Sequence, residues 1–168
     1  MSIPFVKISF ANPDALNHQI AVQLNGILDH EERIRLDALK NEQSRNQYLV
    51  AHALLRVGLS KQFPEDPSTW HFRRTSYGKP QIKTPAHLKG VSFSLSHTQS
   101  LVACAISTHG KIGLDIEKCS SDFDLKPLLP LILSEEEIQS WQEIDSKNQI
   151  RHFYQLWTLK EAFLKAIG

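Results

Sequence analysis

At 168 residues, with 41% hydrophobic and 22% charged residues, the chain is long enough for one domain with a real core, or for two small halves. A formal net charge of +1 gives no global pull toward nucleic acid, and there is neither a run of eighteen apolar residues nor a signal-peptide pattern at Met1-Ser2-Ile3-Pro4 to point to a membrane. The two cysteines, Cys104 and Cys119, lack zinc or redox spacing, which fits a reducing cytoplasm.

In chain order, residues 31–57 are predicted to be helical, with Leu36, Leu39, Tyr48, Leu49, Ala53 and Leu55 recurring among charges and Gly58 as C-cap. Residues 62–69, with Pro64 and Pro67, read as a loop. Trp70 and Phe72 suggest a short strand that ends in a turn at Tyr77-Gly78-Lys79-Pro80. Residues 90–97 alternate, with Val91, Phe93 and Leu95 inward and Ser92, Ser94 and Ser96 outward. Residues 101–106 are a continuous apolar strand that includes Cys104, His109-Gly110 is a tight turn, and 112–117 alternates again, so three neighbouring antiparallel strands are expected from 91 to 117. After a loop with Pro127 and Pro130, Ser134 is a helix N-cap with Glu137 at the capping-box position. The segment 149–168 is the strongest helix, with Phe153, Leu156, Trp157, Phe163, Leu164 and Ile167 in one apolar arc. Lys160 falls inside that arc, either snorkelling or placed there for chemistry.

The strand 112–117 poses a chemical question, because Asp115 and Glu117 share a face with no base between them. Carboxylates at i and i+2 start roughly 6.5–7 Å apart. At about 5–6 Å their repulsion would be roughly 3 kcal/mol at an effective dielectric near 20. A solvated edge relieves that, and so does a divalent cation, for which hard oxygen donors suit magnesium or manganese. Ser96 and His97 at a strand end can donate to a phosphate, as can Lys79 beside its turn, although each is also an ordinary surface residue. Glu161 and Lys165 are spaced i, i+4, which suits a surface pair or a base beside a cation. There is no nucleophile elbow, P-loop, GxGxxG or HExxH.

Four blocks occur in order: Gly-Lys-Pro at 78–80, Phe-Ser-Leu-Ser-His-Thr at 93–98, Ile-Gly-Leu-Asp-Ile-Glu at 112–117, and Trp-Thr-Leu-Lys-Glu-Ala-Phe-Leu-Lys at 157–165. On these blocks the chain resembles the 4′-phosphopantetheinyl transferases of the Sfp type, from about residue 31 to 168. The resemblance implies an α+β fold of two pseudo-twofold-related halves, about 1–108 and 109–168, with coenzyme A in the cleft between them. Relatives continue past the last helix, so a truncated second half is expected. The implied reaction moves the phosphopantetheine arm of coenzyme A to a serine of an apo acyl or peptidyl carrier protein and releases adenosine 3′,5′-bisphosphate. Mg2+ is the implied metal, with Mn2+ as a substitute, held by Asp115, Glu117, Glu137 and Glu161. Glu161 is the implied base, and Lys165 is implied either to neutralise the α-phosphate or to protonate the leaving group. Arg45, Lys79, Ser96 and His97 are the implied coenzyme A contacts. The expected protein is a cytoplasmic monomer with no nucleic-acid or membrane partner. Two other readings stand beside this one: a magnesium-dependent phosphohydrolase or nuclease built on the same acids, and a non-catalytic module that binds coenzyme A or a carrier.

Overall fold

The structure is a computed structural model that describes residues 4–75, 78–122 and 124–168, so Tyr77 of the expected turn lies outside the described residues. In chain order it runs β1 (Val6–Ala11), α1 (His18–Gly26), α2 (His30–Ala38), α3 (Glu42–Ser60), β2 (His71–Arg74), β3 (Pro80–Thr84), β4 (Ser92–Thr98), β5 (Leu101–Ser107), α4 (Leu129–Ile132), α5 (Glu135–Gln142) and α6 (Ser146–Ile167). This mixture of helix and sheet is the expected α+β class. Among the described residues, no helix is long and apolar enough to cross a membrane.

The expected helix over 31–57 is two helices. Asp29 caps α2 through a capping box with Glu32, and Asn41 caps α3 by accepting the Ser44 N–H at 3.1 Å. Between them the Arg45 guanidinium donates to the carbonyls of Leu36 and Leu39, at 3.0 and 3.4 Å, where the Leu36 carbonyl also accepts the Leu39 N–H, and so ties the end of α2 to the start of α3. Gly58 is no cap. It lies buried inside α3, where an added Cβ would stand 3.1 Å from Ile106 Cδ1, so its missing side chain lets the helix close on the sheet.

That sheet has the order β1-β5-β4 and is antiparallel throughout. No helix or strand is predicted before residue 31, yet Val6, Ile8 and Phe10 alternating with Lys7 and Ser9 is itself a strand signal. One face of the sheet, with Phe93, Cys104 and Ile106, packs on Leu55 and Leu59 of α3 and on Trp70 and Ile82. Burial pushes the Cys104 thiol up to about 12, whereas Cys119 is exposed. The other face aligns Val6, Ile8 and Phe10 of β1 with Ser107, Ala105 and Ala103 of β5, and these with Ser92, Ser94 and Ser96 of β4.

Here two expectations are corrected. Residues 112–117 are not a third sheet strand. They run along the serine face in the same direction as β4, and the N–H groups of Ile112, Leu114 and Ile116 donate to the hydroxyls of Ser92, Ser94 and Ser96 at 3.2, 3.0 and 3.3 Å. The serines therefore do not point to solvent, and Ser94 and Ser96 are buried. A second core joins Leu125, Leu129, Leu133 and Trp141 to Phe153 and Tyr154 of α6. The apolar arc of α6 is buried only in its first half, because Phe163, Leu164 and Ile167 lie past that core and are exposed. Lys160 snorkels: its ammonium donates to the Ile132 carbonyl at 2.8 Å and pairs with Glu137.

Candidate functional site

Three elements converge at the acid motif. Strand β4 supplies Ser96 and His97, the segment 112–117 supplies Asp115 and Glu117, and α6 supplies Trp157, Glu161 and Lys165 at i, i+4 and i+8 along one helix face. Together with Leu95 these residues line a cavity of about 350 Å³. Gly113 makes the convergence possible. A Cβ built there would stand 1.7 Å from the Ala162 carbonyl oxygen and 2.7 Å from the Ala166 nitrogen, so α6 lies directly on the backbone of the segment.

At the centre is a three-group cluster. Lys165 Nζ donates to Asp115 Oδ1 at 2.6 Å and to Ser96 Oγ at 3.2 Å, while the Ser96 hydroxyl donates to the same Asp115 oxygen at 2.9 Å. The Asp115 side chain is 5% exposed, and its other oxygen, Oδ2, is buried with no hydrogen-bond donor among the described residues. Partial burial pushes the Glu117 carboxyl above its ordinary value; Asp115 and Glu161 add to that push and Lys165 offsets it. Burial, with the Lys165 charge adding to it, holds the His97 imidazole below its ordinary value.

The larger cavity, about 470 Å³, opens on the other side of β4 between α2, α3 and the β2–β3 hairpin. Tyr48, Phe72 and Phe93 give it aromatic walls, and Arg35, Arg73 and Arg74 line it together with Asp29, Glu31 and Glu32; Glu31 pairs with Arg35, and Asp29 and Glu32 pair with the buried Arg56. Leu95 and His97 line both cavities and form their common wall. The sequence reading passes over Arg35, Arg73 and Arg74. The Arg73-Arg74 pair ahead of the Gly-Lys-Pro turn is a signal that could have found two of them.

Not every expected site residue joins this group. Asp115, Glu117, Glu161, Lys165, Ser96 and His97 stand together. Arg45 is held by the α2 carbonyls and by Asp37, 3.6 Å away, and it lines neither cavity. Lys79 donates to the Ala166 carbonyl at 2.6 Å and lines a separate cleft with Lys89 and Lys111; burial, then Lys111, holds its ammonium below the ordinary lysine value. Glu137 accepts the Ser134 N–H at 2.7 Å in its capping box and pairs with Lys160, away from Asp115. As the side chains stand, no three His, Cys, Asp or Glu residues among those described converge closely enough to hold a metal ion. The donor chemistry nevertheless fits one: three carboxylates face one cavity, and Asp115 Oδ2 is an orphaned buried acceptor.

The comparisons with known proteins agree with one another along the chain. A family model described as 4′-phosphopantetheinyl transferase superfamily matches residues 111–168. A second, described as 4′-phosphopantetheinyl transferase, N-terminal, matches residues 12–109. The 4′-phosphopantetheinyl transferase gsp of Aneurinibacillus migulanus is 30% identical over 165 residues, covering 98% of this chain and 64% of that protein. The 4′-phosphopantetheinyl transferase HetI of a Nostoc species is 28% identical over 162 residues, covering 96% of this chain and 67% of its own. The 4′-phosphopantetheinyl transferase Sfp of Bacillus subtilis is 30% identical over 138 residues, covering 82% of this chain and 59% of its own. The chain thus spans roughly three-fifths to two-thirds of the length of these curated relatives.

Proposed function

Because the chain belongs to the 4′-phosphopantetheinyl transferase superfamily, as an Sfp-type member, we propose that it transfers the 4′-phosphopantetheine arm of coenzyme A to a serine of an apo acyl or peptidyl carrier protein. The observation that carries this reading is the pair of cavities with a common wall. One has aromatic walls and the arginines Arg73 and Arg74, beside acids that pair with Arg35 and Arg56, which suits a phosphorylated nucleotide; the other is lined by Asp115, Glu117, Glu161 and Lys165. A ligand with a nucleotide at one end and a reactive diphosphate next to it matches that order.

In this proposal Asp115, Glu117 and Glu161 would hold Mg2+, or Mn2+ in its place. The metal would supply charge neutralisation at the diphosphate. Glu161 takes the proton of the carrier serine. The serine oxygen forms a bond to the phosphorus next to the pantetheine arm, the bond to the bridging oxygen breaks, and adenosine 3′,5′-bisphosphate leaves with the electron pair. Lys165 faces the charge that builds on the leaving phosphate. His97, on the common wall, donates to the nucleotide phosphate, and Ser96 holds Asp115 and Lys165 in place. Arg45, Lys79 and Glu137 keep the structural contacts described above. The proposal takes the protein to be a cytoplasmic monomer.

The test is the intact mass of an apo acyl or peptidyl carrier protein incubated with this chain, coenzyme A and Mg2+. A gain of one phosphopantetheine arm is expected, absent with EDTA and absent with Asp115→Ala. Coenzyme A binding without any gain on either carrier would replace the proposal with the binding-module reading. Metal-dependent phosphate release without carrier modification would replace it with the hydrolase reading.

A further inference from the structure

The three hydroxyl contacts under residues 112–117 are an uncommon way to hold an extended segment. Sheet strands normally find acceptors for their N–H groups in the carbonyls of a neighbour. Here the acceptors are side-chain oxygens on the face of a strand, at 3.2, 3.0 and 3.3 Å, in step two by two with Ile112, Leu114 and Ile116. Beside the serines, β5 presents only Ser107, Ala105 and Ala103 on that face, small enough for the segment to settle close to the sheet. On its other side, the segment is pressed by α6 at Gly113. The last rung continues into the acid cluster, because Ser96 both accepts from Ile116 and donates to Asp115.

We propose that Ser92, Ser94 and Ser96 form a hydroxyl ladder that sets the register and depth of Asp115 and Glu117, and that Ser94 is a positioning residue for the acid site. Ser94 is not among the residues that line the acid cavity, and it acts through the Leu114 N–H, one residue before Asp115. The metal-dependent part of this inference rests on the function proposed above.

The test compares wild type, Ser94→Ala, Ser94→Thr (which keeps the hydroxyl) and Cys104→Ala. Cys104 lies in the core on the opposite face of the same sheet and serves as a control for stability loss alone. Amide hydrogen exchange should show Ile112, Leu114 and Ile116 protected in wild type, with protection at Leu114 and Ile116 lost in Ser94→Ala and kept in Ser94→Thr. Mn2+ affinity, read from the free-ion electron paramagnetic resonance signal, should fall about tenfold or more in Ser94→Ala, the usual scale for losing a group that orients a metal ligand. It should stay at the wild-type value in Cys104→Ala, even where melting temperature drops as far. Fast exchange of the three amides in wild type would overturn the ladder. Unchanged Mn2+ affinity in Ser94→Ala, or an equal loss in Cys104→Ala, would overturn the positioning role. If the wild type binds no Mn2+, the metal assignment of the proposed function fails instead. The exchange pattern then decides the ladder by itself: protection lost only in Ser94→Ala supports it, and the same pattern in all variants overturns it.

Discussion

Arg56 is wholly buried, yet it carries a full charge. Its guanidinium pairs with Glu32, at 2.6 Å, and with Asp29, at 3.3 Å, and His52 Nδ1 lies 2.8 Å from the same Glu32 carboxylate. Burial alone would raise the Glu32 pKa, but His52 and Arg56 outweigh it and hold the group below its ordinary value of 4.5. The sign follows from linkage: a depressed folded-state pKa contributes stability above the unfolded value and loses it as pH falls through the folded one. Melting temperature should therefore decline as pH drops below 4.5. At neutral pH, Glu32→Gln should cost about 3 kcal/mol, because it leaves part of a buried charge uncompensated. The gap between variant and wild type should narrow in acid, as followed by circular dichroism melts between pH 7 and pH 3. A gap independent of pH would remove Glu32 from the acid response.

At the level of elements, Gly113 sets how closely two chain segments can approach. Gly113→Ala must force α6 away from residues 112–117, since its methyl group would meet the backbone of Ala162. A loss of about 1–3 kcal/mol or more is expected for such overpacking. Carrier modification should fall further than stability alone explains, because Glu161 and Lys165 move with the helix; denaturant titration alongside the mass assay separates the two effects. The sequence made some elements plain and left others hidden. The Ser134 and Glu137 capping box and the hairpin of β4 and β5 were readable because local chemistry decides them. The break between α2 and α3 was hidden because Arg45 satisfies carbonyls six and nine residues earlier, a contact no periodicity reports. The alternation from Ile112 to Glu117 revealed an extended segment with an acidic face, but not its partner. A serine face looks solvent-facing in sequence until another backbone is found docked on it. Of the acid site, the members from β4, the 112–117 segment and α6 were readable as a set. The arginines of the larger cavity were not, because only the fold brings α2 next to the β2–β3 hairpin.

Across the whole molecule, β4 separates the larger, aromatic-walled cavity from the acidic one, and His97 lines both. His97→Ala should weaken coenzyme A more than 3′-dephospho-coenzyme A. The expected difference is about tenfold, the scale of one hydrogen bond to a charged group, and calorimetric titration of both ligands measures it. Equal losses would take His97 off the phosphate. The contrast between the two thiols has a practical consequence for such measurements. Cys104 is sealed in the core with its thiol pushed to about 12, whereas Cys119 is exposed two residues beyond Glu117. A maleimide dye should therefore couple at one position in the unmodified chain. That would place a fluorescent reporter two residues along the chain from Glu117, which lines the acid cavity, so that ligand arrival can be followed in real time without engineering a cysteine.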